Sequence, residues 1–228
     1  MNADPERRSA EPLLVEDVLL TLFQPSSHTI AGENTLFYVL GAAVLADLSR
    51  EGRLSVTEGR LSATLEAAGD PPTDPLLEPA WSYMATKPRD VQTVLAAVGP
   101  ELRGRVIERL VERGHLREEE HRALGIFATT RLALASDRRE QLMDGVKAVL
   151  LDGKEPDDRT ATIIALISAS GTLPQFDGEI PWGSAVQSRA AQIEHGEWGA
   201  VAAASAVTRT MMAVLANAVI AATVLPRG

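Results

Sequence analysis

Cysteine is absent from the 228 residues, which excludes disulfides, thiolate nucleophiles and thiolate metal sites within the chain and fits a reducing, cytoplasmic setting. Aromatic residues are scarce at 4%, while alanine and leucine abound, and that balance favours helices over sheets. Lysine occurs only at Lys87, Lys147 and Lys154. Positive charge is therefore mostly arginine, and each arginine needs positional support before it counts as functional. The net charge of −9 points away from the concentrated positive surface that phosphate backbones require, so nucleic acid is not expected as a partner. A helix over 34–50 followed by a hairpin is shared with winged helices, but the acidic balance weighs against that use. No apolar run reaches the roughly 18 to 20 residues that span a bilayer. The longest, 211–225, follows Arg209, contains Asn217 and reads as a buried core helix. "MNADPERRSAEP" lacks the apolar centre of a signal peptide, and residues 1–11 read as a disordered tail.

What is present is an ordinary globular composition, 45% hydrophobic and 23% charged, with length enough for one large core. The expected fold is mainly α, a compact single-domain helical bundle over 12–228 with one or two β-hairpins. "PLLVEDVLLTLF", 12–23, is apolar nearly all round and predicts a central, buried helix. A helix over 34–52 opens at Asn34 and ends at Gly52, and Gly41, Ala42, Ala43 and Ala46 permit close packing on it. "RLSVTEGRLSATLEA" alternates apolar and polar around Glu58-Gly59, a hairpin signal. Helices are expected at about 74–86, 89–98 and 100–113, separated by Pro88 and Gly99-Pro100. "REEEHRAL" suggests a short helical turn, and "LGIFATTRLALAS" a second hairpin about Ala128-Thr129. Further helices follow at 136–151 and 156–170, the latter opened by the acidic "PDDR", and two more between 184 and 224.

Nucleophile elbows, P-loops, dinucleotide fingerprints and zinc-protease helices do not occur, so no catalytic residue, cofactor or metal is expected and the chain reads as non-enzymatic. His115, Glu118 and His121 lie close in sequence and could ligate a metal, but an exposed charged turn after a helix stop explains them as well. If the second hairpin protrudes it exposes Ile126 and Phe127, which suits membrane contact or self-association; otherwise it packs on the body.

The stretch "GPELRGRVIERLVERGHL", 99–116, holds one anomaly. Leu102, Val106, Ile107, Leu110 and Val111 share a face, and Arg105, Arg109 and Arg113 run along a flank where arginine is ordinary. Arg103 instead continues the apolar stripe at the first turn, where a cation also faces the positive end of the helix dipole. Either the stripe has left the core by then and Arg103 reaches water along its apolar stem, or the helix start and the guanidinium together hold an anion. A guanidinium already paired with Asp or Glu would favour a structural role.

In order along the chain, "LLVEDVLLTLF", "GAAVLADLSREGRLSV", "DPPTDPLL", "LRGRVIERLVERGHLREEE", "LGIFATTRLAL" and "AVLLDGKEPDDRTATIIALISASG", followed by a helical tail, resemble the Golgi phosphoprotein 3 family over roughly 12–200. The resemblance implies a mostly helical domain with a β-hairpin used for oligomer contacts. In eukaryotic members it implies a peripheral membrane protein that reads phosphatidylinositol 4-phosphate and helps retain Golgi glycosyltransferases. The family's headgroup pocket uses a tryptophan and an arginine about the early small-residue helix, and two basic residues opening the later one. In this sequence those positions fall near Gly32 and on Gly41, Pro100 and Arg103. Arg103 remains, with Arg105 as its neighbour and Phe37 or Tyr38 as a substitute ring. At about 1.5 to 3 kcal/mol per charged hydrogen bond, losing three of four contacts weakens headgroup binding by several kcal/mol. The resulting expectation is a peripheral, reversibly membrane-associated protein that binds a phosphoinositide or other anionic phospholipid headgroup through Arg103 and Arg105. Its alternative is a soluble, self-associating scaffold that keeps the fold without the lipid site.

Overall fold

A computed structural model describes residues 11–58, 63–123, 127–195 and 216–221, with side chains for these apart from 58 and 121–129. At the centre lies α1 (Leu14–Leu22), every residue of which is buried. A helix apolar on all sides is stable only where others surround it. Here α2 (Leu36–Arg50), α5 (Leu102–Glu112), α6 (Arg138–Leu150) and α7 (Asp158–Ala169) do so. The backbone donors that open α1 are met from another element: Asp47 of α2 accepts from Leu14 N at 2.9 Å and Val15 N at 3.1 Å. Two acids within α1 are as buried as its leucines. Glu16 Oε1 lies 2.9 Å from Arg113 Nε, and Asp17 Oδ2 lies 2.6 Å from both Arg138 Nη2 and Arg159 Nε. These pairs tie the central helix to three neighbours, each charge being compensated because a lone buried charge costs several kcal/mol.

Along α2 the small residues pack as expected. A Cβ at Gly41 would stand 3.1 Å from Leu95 Cδ2, so that side of α2 is filled by α4 (Val91–Val98). The helix ends at Glu51, with Gly52 at φ +69°. Its start differs from expectation: α2 begins at Leu36 rather than at Asn34, and Thr35 Oγ1 turns back to donate to the Gly32 carbonyl at 3.1 Å. Before it, β1 (Phe23–Gln24) and β2 (Thr29–Ile30) form a short antiparallel pair. The first hairpin is present as β3 (Leu54–Glu58) and β4 (Ala63–Ala67), joined at its edge by β5 (Arg89–Asp90). Between them, α3 (Glu78–Ala85) packs on β4.

The second hairpin is present as expected, but its first strand and its turn correct the sequence reading. β6 (Leu116–Ala123) pairs with β7 (Phe127–Leu134), so "REEEHRA" is strand and not a helical turn, and the connection lies at 124–126. Ala128 and Thr129 are mid-strand, opposite Arg122 and His121. Gly114, at φ +75°, closes α5 and returns His115 N to the Leu110 carbonyl, which sends the chain out extended. Cross-strand pairing then outweighs the weak helical preference of a charged run.

The "PDDR" reading holds: α7 opens with Asp157 accepting from Thr160 N at 2.6 Å. α8 (Ser184–Glu194) packs on α7, and 216–221 is helical. The architecture is mainly α with small β-hairpins, and one continuous apolar cluster runs through these helices. Among the described residues no helix is long and apolar enough to cross a membrane; most of 211–225 lies outside them. Trp81 is half-buried, its Nε1 donating to the Ala68 carbonyl at 3.1 Å; Trp182 is exposed, and Trp198 lies outside the described residues.

Candidate functional site

The start of α5 is not a free helix end. A 3-10 turn, Gly99–Glu101, carries α4 directly into α5, and Leu102 N donates back to the Gly99 carbonyl. This turn is pressed so closely on α2 that a Cβ at Gly99 would overlap the Phe37 carbonyl oxygen. Part of the donor set expected to meet an anion is therefore already used within the helix. Leu102, Val106, Ile107 and Leu110 are buried, as the stripe predicts. Arg103 continues their line but is exposed, because the core has ended at that turn.

Arg103 and Ile107 form one wall of an open cleft of about 520 Å³. Ser27 and His28 from the β1–β2 turn close one side, and Glu118, Thr130, Arg131 and Leu132 of the second hairpin close the other. His28 holds the two sides together: at φ +58°, it places Nδ1 2.9 Å from the Leu132 carbonyl. The Arg103 guanidinium is paired. Its Nη2 donates to Glu33 Oε1 at 2.8 Å, and its Nε lies 3.2 and 3.1 Å from the two Glu33 oxygens. The hydrogen bond to Glu33 raises the Arg103 pKa above its ordinary value. Arg131 is likewise engaged by Glu119 at 3.1 Å, and Glu119 also accepts from Arg117 at 2.7 Å. Bonds from Arg117 and then Arg131 hold the Glu119 carboxyl below its usual range.

Arg105 does not join Arg103. Two residues on, it faces a separate cavity of about 170 Å³ lined by Val44, Leu76, Tyr83 and Leu102, and its guanidinium donates to the Pro75 carbonyl. The flank that looked ordinary is the anchored side of α5. Arg109 Nη1 lies 2.8 and 2.7 Å from the Asp74 oxygens, and Arg113 reaches buried Glu16.

Two of the other positions that the resemblance implies for a headgroup pocket, Gly32 and Gly41, are closed to larger side chains. Gly32 sits at φ +69° against Thr172, whose Cγ2 a Cβ would overlap, and Gly41 faces Leu95. Phe37 and Tyr38 stack on each other, ring centroids 4.0 Å apart, and neither lines the cleft. Of the hairpin positions, Phe127 opens β7 opposite Ala123, and Ile126 lies outside the described residues. His115 Nδ1 is 2.9 Å from Ser136 Oγ, with burial lowering the imidazole pKa, and among the described residues no three His, Cys, Asp or Glu cluster as metal ligands. Glu33 and His28 carried no local signal, since Glu33 meets Arg103 and His28 meets Leu132 only through contacts 70 and 104 residues apart, and Arg131 becomes part of the cleft only when the second hairpin packs beside α5.

Against this geometry, the family model described as Golgi phosphoprotein 3 (GPP34) matches residues 14–210. No curated protein matches the chain.

Proposed function

The chain belongs to the Golgi phosphoprotein 3 family, and on that premise we propose that it is a non-catalytic peripheral protein that binds an anionic lipid headgroup at a membrane surface. The observation that carries this reading is the position of Arg103, an exposed guanidinium on the wall of an open cleft at the first turn of α5. A planar guanidinium offers phosphate a bidentate fork. Gly32, Gly41 and Pro100 stand where the resemblance implies the further contacts of a stereospecific phosphoinositide pocket, and none of the three lines the cleft, so the headgroup is read by charge. Arg105, turned to its own cavity, contributes field rather than contact. The test is co-sedimentation with anionic and with neutral vesicles, for the natural protein and for Arg103→Glu. Selective pelleting of the natural protein with anionic vesicles is expected; equal pelleting in all four arms overturns the reading.

One observation favours a second reading. Arg103 and Arg105 are both already satisfied within the protein, as in a structural role, and the long hairpin is then the working surface of a self-associating scaffold. Light scattering with charges placed at Ile126 and Phe127 tests it, an unchanged mass counting against the hairpin.

A further inference from the structure

We propose that Glu33 is a displaceable internal counter-ion of Arg103, so that a lipid phosphate binds by taking the guanidinium from the Glu33 carboxylate. This rests on the headgroup reading of Arg103 above.

Three features of the pair support it. First, it is exposed, with side chains 49% and 45% accessible, whereas the partners of Arg113, Arg138 and Arg159 on α1 have 1% or less. An external anion can reach Arg103 but not the guanidinium faces turned to Glu16 and Asp17. Second, the turn that presents Glu33 is held without the pair. Ala31 N donates to the Leu22 carbonyl at 2.8 Å, Gly32 N to Gln175 Oε1 at 3.2 Å, and Thr35 N to the Gly32 carbonyl at 2.9 Å. The left-handed Gly32, seated on Thr172, fixes the turn further. The Glu33 side chain can therefore swing away while its backbone stays.

Third, the other arginine of the cleft is held differently. Arg131 shares Glu119 with Arg117, so its acceptor is fixed by two cations, while Arg103 and Glu33 are paired one to one. Entry of an anion thus begins at Arg103. A phosphate monoester brings about −1.5 to −2 charge and three acceptor oxygens against the single charge of a carboxylate, which lets it compete for the same fork.

The experiment uses the full chain and vesicles of phosphatidylcholine with or without phosphatidic acid, and reads the lipid concentration for half-maximal pelleting. Glu33→Gln keeps the shape and removes the competing charge, and should bind phosphatidic acid vesicles about two- to five-fold more tightly, the range of an exposed ion pair. That gain should vanish when Arg103→Ala is added. Glu112→Gln, at the far end of α5, removes the same charge away from the cleft and should give no gain. An equal gain from Glu112→Gln, a gain that survives Arg103→Ala, or no gain at all overturns the counter-ion role. If the natural protein binds in an Arg103-dependent way and Glu33→Gln binds no better, only this inference falls. If neither protein prefers phosphatidic acid vesicles, the headgroup reading falls with it.

Discussion

Replacing Asp17 by Asn tests whether the central helix is held by charge as well as by apolar packing. Asp17 is 1% exposed and serves two guanidiniums: Oδ2 is 2.6 Å from Arg138 Nη2 and 2.6 Å from Arg159 Nε, and Oδ1 is 3.0 Å from Arg138 Nε. The amide keeps the shape, loses the charge and turns one acceptor into a donor facing donors. Breaking a buried pair by neutralising one partner costs about 3 to 5 kcal/mol. The lower end applies here, because Arg138 and Arg159 remain 26% and 16% accessible and recover some water once released. We expect a loss of about 3 kcal/mol in urea unfolding followed by far-ultraviolet circular dichroism at pH 7, a large share of the 5 to 15 kcal/mol typical of a domain. Glu33→Gln is the internal comparison. Its pair is nearly half accessible on both sides and should change stability by less than about 1 kcal/mol. If Asp17→Asn costs no more than Glu33→Gln, the buried pairs do not hold α1 and its neighbours by charge.

Two further outcomes follow from the same packing. Burial pushes the Asp47 carboxyl up to about 6 against the lowering effect of the Leu14 and Val15 N–H groups, from an ordinary 3.8. A raised carboxyl pKa means that this group's stabilising contribution is fully present below about pH 3.8 and is lost as pH rises through 6, a change of about 3 kcal/mol. The unfolding free energy of the natural protein minus that of Asp47→Asn should therefore be larger at pH 4 than at pH 7; a difference independent of pH refutes the assignment. Gly32→Ala combines a left-handed backbone, costing about 1 to 2 kcal/mol for a residue with a Cβ, with overlap on Thr172. Thermal unfolding should show at least that loss, and unchanged stability would mean that the turn presenting Glu33 is not held as described.

Much of this fold is legible in the chain because the signals are local. An apolar segment without a polar face, as in 14–22, has to be surrounded, and Gly52, Gly114 and Gly171 stand where the helices stop. The second hairpin is legible, but its first strand is not, because β6 is a charged run without strong alternation. Its strand character comes from eight pairings with β7 rather than from its own composition. At the cleft, the stripe of α5 singled out Arg103, which stands just past the turn where the core ends. The anion beside it in the structure is Glu33, a residue 70 positions away in an unremarkable loop, the pairing named in advance as favouring a structural role.

By itself, the sequence determined the helical character, the central place of the first apolar segment, the absence of thiol chemistry and the odd position of Arg103. These depend on composition and on periodicities of a few residues, which act before any long-range contact forms. Only the tertiary structure decided what each arginine does. Arg109, Arg113, Arg138 and Arg159 are anchors while Arg103 faces an open cleft, and Arg103 and Arg105, two residues apart, face different cavities. The physical reason is that a guanidinium's role is set by its counter-ion and by its access to water. For Arg138 and Arg159 that counter-ion lies 121 and 142 residues away, brought into reach only when α1 is enclosed.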